Sequence, residues 1–144
     1  MTLLLRNLQK SVTFDLPKLK ADINLLRRIV RAERYDLGVI CMQDSQSLAP
    51  GRLPDPWSDL ADLGDIFLGM SYIQQQCEKD GTNVDDVLPV IVTHGLCHLI
   101  GYKHDTDERL KQMHKRELDI LTEYNKLTDS NLRPMTNGPA EMSN

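Results

Sequence analysis

The chain has 144 residues, of which 40% are hydrophobic and 26% charged, and this composition fits one folded domain rather than a disordered chain. No apolar run reaches the roughly 18 residues of a membrane span, and no stretch has the charged-then-apolar order of a secretory signal, which argues against a membrane or secreted protein. The net charge of −4 is uneven: residues 1–34 carry eight Lys and Arg against three acidic residues, and residues 35–100 carry two against ten, so polyanion binding is expected at one local face only.

The first half of the chain predicts a strand, a helix and two further strands. Residues 2–8 open with an apolar run, and a helix follows at Leu16-Pro17, since proline suits a first helical turn. The helical pattern continues as a basic segment over residues 18–34. Five basic residues of this segment either contact RNA phosphates or form an ordinary solvated charged face. They are Lys18, Lys20, Arg27, Arg28 and Arg31.

The remaining elements complete an irregular order of strands and helices. Apolar strands are predicted over residues 37–42 and 64–70, separated by a proline-rich loop and followed by a short helix to about Cys77. A buried helix over residues 87–100 is expected to start at Asp86 and stop at Gly101. A last helix is expected from Asp105, with Asp105 and Glu108 as a capping box and an inward stripe of Leu110, Met113, Leu118 and Leu121.

This order predicts an α+β fold. Strands and helices are mixed without the regular alternation of a parallel α/β protein. We expect one domain over residues 1–127 and a polar, flexible tail over residues 128–144.

Three histidines near the end of the buried helix indicate a metal site. His94 and His98 are four residues apart and therefore lie on the same helical face. Gly101 can adopt a left-handed conformation that turns the chain back, so that His104 supplies a third nitrogen. Three imidazoles suit Zn²⁺ or a similar metal and leave a coordination position open, which is more typical of catalytic than of structural sites. A chance cluster and a purely structural metal are the alternatives.

Neighbouring residues leave several roles open. Zinc proteases of the HExxHxxGxxH type carry a glutamate base where this chain has Gly95, which argues against peptide hydrolysis by that route. Cys97 is either a fourth ligand or a small packed residue. Asp105 is either a weak candidate base or imidazole partner, or only a helix cap. His114 is better explained as a partly buried, hydrogen-bonded side chain than as a ligand.

The segment THGLCHLIGYKHD resembles the signature of the YbeY family of metal-dependent endoribonucleases that act on single-stranded RNA. The resemblance extends to DLGVICM, LGDIFLG and DDVLPVIVTHGLCHLIGYKHD, and it covers most of residues 1–125. It implies a zincin-like mixed sheet packed by helices, with one metal ion held by His94, His98 and His104. It also implies a function in ribosomal RNA maturation and ribosome biogenesis, with RNA and a small-subunit ribosomal protein as partners.

One departure from the family concerns the segment between the second and third strands. Family members carry there an arginine in an N-x-x-Y-R context and a P-T-D-V-L-S-F-P stretch, and this chain has neither and is about thirty residues shorter. A catalytically impaired ribosome-assembly factor with a structural metal is therefore an alternative function, as is a zincin-type metalloprotease. The resemblance suggests a mitochondrial location, with the nucleus or cytoplasm as alternatives.

Overall fold

The computed structural model describes residues 3–42 and 62–135, which form three strands and four helices. The proline-rich loop and the shortened family segment, predicted between the second and third strands, lie outside the described residues. In chain order the elements are β1 (Leu3–Asn7), α1 (Leu16–Ile29), β2 (Asp36–Met42), β3 (Asp62–Gly69), α2 (Met70–Asp80), α3 (Val84–Leu99) and α4 (Asp107–Thr128).

The strands form one sheet in the order β1-β2-β3, and both pairs are parallel. Leu5 pairs with Val39 and Val39 with Ile66, so apolar residues of all three strands align across the sheet. The expected α+β class is confirmed. The antiparallel pairing that a mixed sheet requires is absent from residues 3–42 and 62–135.

Helix α1 begins as predicted and ends earlier than predicted. The Asp15 carboxylate accepts a hydrogen bond from the Lys18 amide at 3.0 Å, and Pro17 lies in the first turn. The helix ends at Ile29, so the prediction that it continues to residue 34 is wrong. Arg31 takes φ = 60°, a left-handed conformation that reverses the chain toward β2.

Helix α3 passes through the centre of the fold, because it is apolar on nearly every face. Its cap is Asn83, whose side chain accepts from the Asp85 amide at 2.9 Å, and not Asp86 as predicted. The longer helix places Pro89 in its interior, where the missing N–H leaves the Asp85 carbonyl without its helical donor. The Lys18 ammonium of α1 donates to that carbonyl at 3.1 Å, which ties the two helix starts together.

Helix α4 lies against α1 and α3 and differs from the prediction at its start and in its buried face. Thr106 is the cap and accepts from the Arg109 amide at 3.2 Å, so the capping box of Asp105 and Glu108 is wrong. Met113 and Leu121 are buried as predicted, whereas Leu118 is 46% exposed. Glu117 is instead fully buried on the inner face.

The start of the predicted tail packs back onto α4. The Leu132 amide and carbonyl both bond to the Asn125 side chain at 3.0 Å, and the Met135 amide donates to Glu117 at 3.2 Å. Leu132 also contacts the main core cluster. The described part of the segment after residue 128 is therefore held by specific contacts.

The core is continuous between the sheet and the helices. It joins α1, β2, α3 and α4 through side chains that are almost completely buried, among them Ile23, Leu26, Val39, Val92, Leu96 and Ile120. Within the described ranges, no helix has both the length and the hydropathy needed to cross a membrane.

Candidate metal centre

The three predicted histidines converge at the C-terminal end of α3. The Nε2 atoms of His94 and His98 are 3.1 Å apart. Ring centroids are separated by 4.5 Å for His94–His98, 5.0 Å for His98–His104 and 5.4 Å for His94–His104. One ligand nitrogen from each ring lies within 4.8 Å of the other two. The sequence prediction that these rings meet is confirmed.

Gly101 brings His104 back toward the helix. The Gly101 amide donates to the His98 carbonyl at 3.0 Å, and the Tyr102 amide donates to the Cys97 carbonyl at 2.9 Å. This pair of bonds is a Schellman motif, which requires a residue of positive φ after the helix. Gly101 supplies it with φ = 110°, a conformation that a Cβ atom would strain.

The orientation of His94 depends on a buried carboxylate that the sequence analysis missed. Glu117 Oε2 lies 3.4 Å from His94 Nδ1, and Glu117 is fully buried. A lone pair on Nδ1 would be repelled by the carboxylate, so the proton resides on Nδ1 and Nε2 keeps its lone pair. The available signal was the position of Glu117 on the inner face of α4, in register with Met113 and Ile120.

His98 is oriented by the backbone. Its Nδ1 donates to the Tyr102 carbonyl at 3.0 Å, which leaves Nε2 as the nitrogen that faces His94. Burial lowers the pKa of His98, and this effect is opposed by the hydrogen bond to the Tyr102 carbonyl. A lowered pKa favours the neutral imidazole, which is the form that binds metals.

This set of donors fits a metal ion with three imidazole ligands. Nitrogens bound to one Zn²⁺ at about 2.0–2.1 Å are about 3.3 Å apart in a tetrahedron, close to the spacing of the His94 and His98 Nε2 atoms. Two of the rings have their second nitrogen occupied by an acceptor, which is how proteins select the ligating nitrogen. Three protein ligands leave one tetrahedral position for water or substrate.

Asp105 lies beside the site but is engaged elsewhere. Its two carboxylate oxygens accept from the Arg109 guanidinium at 3.0 and 3.1 Å. This hydrogen bonding holds the pKa of Asp105 below its usual range, which weakens it as a proton acceptor. Glu117, and not Asp105, is the carboxylate that contacts a ligand imidazole.

Cys97 and Gly95 are not part of the three-ring cluster. Cys97 is fully buried, and burial raises the pKa of its thiol to about 12. A Cβ atom at Gly95 would meet three side-chain atoms of Ile66 at 3.1–3.3 Å, so this position faces the sheet. The packing explanation of Cys97 therefore agrees with the structure, and Gly95 has no room for a larger side chain without movement of Ile66.

The predicted phosphate-contact residues of α1 do not form one exposed face. Arg27 is 5% exposed, and its guanidinium donates to the Tyr35 carbonyl at 2.8 Å and to Asn24 at 3.1 Å. The prediction that Arg27 lies on the surface and contacts phosphate is therefore wrong. Lys18 is paired with Asp22 at 2.7 Å. Lys20, Arg28 and Arg31 are exposed and stay candidates.

Comparison with known proteins gives one consistent family. The family model for endoribonuclease YbeY matches residues 20–125. Human endoribonuclease YbeY is 35% identical over 163 aligned positions, covering 96% of this chain and 97% of the human protein. Endoribonuclease YbeY of Bartonella bacilliformis is 38% identical over 74 residues, covering 51% of this chain and 44% of that protein. The alignment with the human protein exceeds the 144 residues of this chain, so the human relative contains residues without a counterpart here.

A solved structure supports the fold. The solution structure of a Thermotoga maritima protein superposes with a TM-score of 0.53 at 17% identity, covering 94% of this chain and 100% of that chain. This likeness concerns the fold alone, whereas the family model covers the histidine cluster itself. The chain belongs to the endoribonuclease YbeY family.

Proposed function

We propose that this chain is a metal-dependent endoribonuclease that cleaves single-stranded RNA during ribosomal RNA maturation. The observation that carries the proposal is the convergence of His94, His98 and His104 with the second nitrogens of His94 and His98 facing acceptors. The relatives with matching sequence are named endoribonucleases, which supports RNA as the substrate.

We assign Zn²⁺ to the site, at one ion per chain, because three neutral imidazoles suit it better than they suit oxygen-seeking Mg²⁺ or Ca²⁺. Zinc bound there would supply Lewis-acid polarisation of a phosphoryl oxygen and would make water more acidic. The protein holds the imidazoles in position: Glu117 keeps the Nδ1 proton of His94, and the Tyr102 carbonyl keeps that of His98.

The proton acceptor of the reaction is not a residue next to the first histidine. Position 95 is glycine and faces Ile66, and Asp105 is bonded to Arg109. A metalloprotease of the HExxH type needs a glutamate there. This absence favours phosphodiester over peptide hydrolysis, because phosphoryl transfer depends mainly on positioning and charge stabilisation.

The cellular role extends the same proposal. We propose a mitochondrial location, which the resemblance to the family suggests, with the nucleus and cytoplasm as alternatives. We propose ribosomal RNA as the natural substrate and a small-subunit ribosomal protein as a partner in ribosome biogenesis.

The test combines elemental analysis with a cleavage assay. The purified chain, His98→Ala and the control His114→Ala, which changes a histidine of α4 outside the cluster, are incubated with single-stranded RNA, duplex RNA and casein, with and without chelator. We expect one zinc per chain and chelator-sensitive cleavage of single-stranded RNA in the wild type and control, and loss of both in His98→Ala.

Three results would contradict the proposal or its ligand assignment. Cleavage of casein without cleavage of RNA would establish the protease alternative. One bound metal per chain without nuclease activity, together with retained binding to a ribosomal subunit, would establish the catalytically impaired assembly factor. Retained stoichiometric metal in His98→Ala would refute the ligand assignment.

A further inference from the structure

A basic groove runs along the junction of α3 and α4, next to the loop that carries His104. It consists of two adjoining cavities of about 350 and 630 Å³, which share Ile100, Tyr102 and Gln112. The first also contacts Lys103 and Arg109, and the second contacts Lys115 and Arg116. We use the name basic groove for the surface formed by these residues.

The groove carries an excess of positive charge. Four basic residues line the groove, and one acidic residue, Asp119, lines it with them. Arg109 is bonded to Asp105, whose charge also interacts with that of Lys103. Within residues 3–42 and 62–135, neither Lys103 nor Lys115 forms an ion pair of 4.0 Å or less with a carboxylate. Both lysines are exposed. An excess of cations in a concave surface attracts phosphate groups.

The groove adjoins the loop that leads to His104, and Tyr102 links it to the histidine cluster. The Tyr102 carbonyl accepts from His98 Nδ1 at 3.0 Å, and its half-buried side chain lines both cavities. Lys103 separates Tyr102 from His104 in the sequence. A chain that lies in the groove is therefore placed against the loop that leads to His104, on the side where His98 Nδ1 faces the Tyr102 carbonyl.

We propose that the basic groove binds the single-stranded RNA segment that flanks the cleaved phosphodiester bond. Phosphates contact Lys103, Lys115 and Arg116, and one base stacks on the ring of Tyr102. Aromatic stacking combined with a charged groove is the general way in which proteins hold single strands without sequence preference. This inference rests on the proposed nuclease function and moves the main RNA contact from α1, where Arg27 is buried and Lys18 is paired, to α4.

The test compares two pairs of charge-removing substitutions. Lys103→Gln with Lys115→Gln alters the groove, and Lys79→Gln with Lys126→Gln removes the same number of charges from exposed positions of α2 and α4 outside the groove. Binding of the zinc-loaded protein to a labelled 2′-O-methyl oligouridylate is measured by fluorescence anisotropy between 50 and 300 mM salt, with intactness of the oligonucleotide checked on a gel.

We expect only the groove variant to bind more weakly and to show a salt slope smaller by about 1.4, because each lost phosphate contact to a single strand removes about 0.7. An equal loss in the Lys79/Lys126 variant, or an unchanged slope in the groove variant, would overturn the proposal. Retained zinc stoichiometry and an unchanged unfolding transition confirm that the variants are folded.

Tyr102 is tested separately by Tyr102→Leu and Tyr102→Phe. Loss of stacking lowers affinity by about tenfold for leucine, whereas phenylalanine retains the aromatic face and binds like the wild type. Equal affinity of the leucine variant would exclude stacking on this residue. Oligonucleotide binding without any RNA cleavage would refute the proposed nuclease function and leave the groove as a binding site for single-stranded RNA. RNA cleavage that is unchanged in both the Lys103/Lys115 variant and Tyr102→Leu would refute the groove assignment and leave the nuclease function intact.

Discussion

The replacement Glu117→Gln tests how the fold prepares His94 to bind a metal. The two carboxylate oxygens of Glu117 have different partners: Oε2 lies 3.4 Å from His94 Nδ1, and Oε1 accepts from the Met135 amide at 3.2 Å. Glutamine has nearly the same shape but only one acceptor oxygen, and its other end is an NH₂ donor. The NH₂ end must therefore face either His94 Nδ1–H or the Met135 N–H, and both of these are donors.

Either orientation of the amide weakens the site. If the NH₂ group faces His94, it favours the tautomer with the proton on Nε2, which removes that nitrogen as a ligand. If it faces Met135, a buried N–H is left without an acceptor, at about 1–3 kcal/mol. Loss of a group that orients a ligand histidine typically lowers metal affinity 10- to 100-fold, which corresponds to about 1.4–2.7 kcal/mol.

The assay is competition for zinc between the protein and a chromophoric chelator, with Glu123→Gln on the exposed side of the same helix as the matched control. We expect the control to bind zinc like the wild type and Glu117→Gln to bind at least tenfold more weakly. Substitution with Co²⁺ adds a second readout, since its visible spectrum reports a change in coordination even where affinity is retained. Equal zinc affinity and an unchanged Co²⁺ spectrum in Glu117→Gln would refute the orienting role of this carboxylate.

Three further predictions concern the backbone and the buried thiol. Gly101→Ala, at φ = 110°, is expected to lower the free energy of unfolding by about 1–2 kcal/mol and to weaken zinc binding by displacing His104; unchanged denaturant and zinc titrations would show that the turn tolerates a Cβ atom. Arg31→Gly, at φ = 60°, is expected to stabilise the protein by about 0.5–1 kcal/mol in urea unfolding, and a loss of stability would mean that the arginine side chain makes a favourable contact. Burial raises the pKa of Cys97 to about 12, so this thiol is expected to resist iodoacetamide at pH 8 in the native protein and to react in urea. Because the pKa of the folded thiol lies above that of the unfolded thiol, its contribution to stability is complete below about pH 9 and falls as the pH rises toward 12. Rapid native labelling of Cys97 at pH 8 would contradict this burial.

Local patterns in the sequence were sufficient for the elements and for the convergence of the three histidines. A helix start at Leu16-Pro17, the apolar strands and the His94–His98 pair each depend on residues within a few positions of one another. Element ends were predicted less well, because capping is a competition between neighbouring polar residues. Asn83 and Thr106 won this competition over Asp86 and Asp105.

The family segment between β2 and β3 shows a different limit. Its absence is visible in the sequence and in the length of the alignment with the human relative. The cleavage assay on single-stranded RNA measures its catalytic consequence.

The amino-acid sequence alone determined which three side chains meet, because His94 and His98 share one helical face and a glycine of positive φ follows three residues later. The tertiary structure alone decided how those rings are held and which charges surround them. Glu117 is 23 residues from His94, and only the packing of α4 on α3 makes them neighbours. The same packing assembles the basic groove from α4 and the loop after α3, since charges that are distant along a chain become one surface only when helices dock. Arg27 is buried where α1 meets the turn before β2, because its guanidinium donates to the Tyr35 carbonyl.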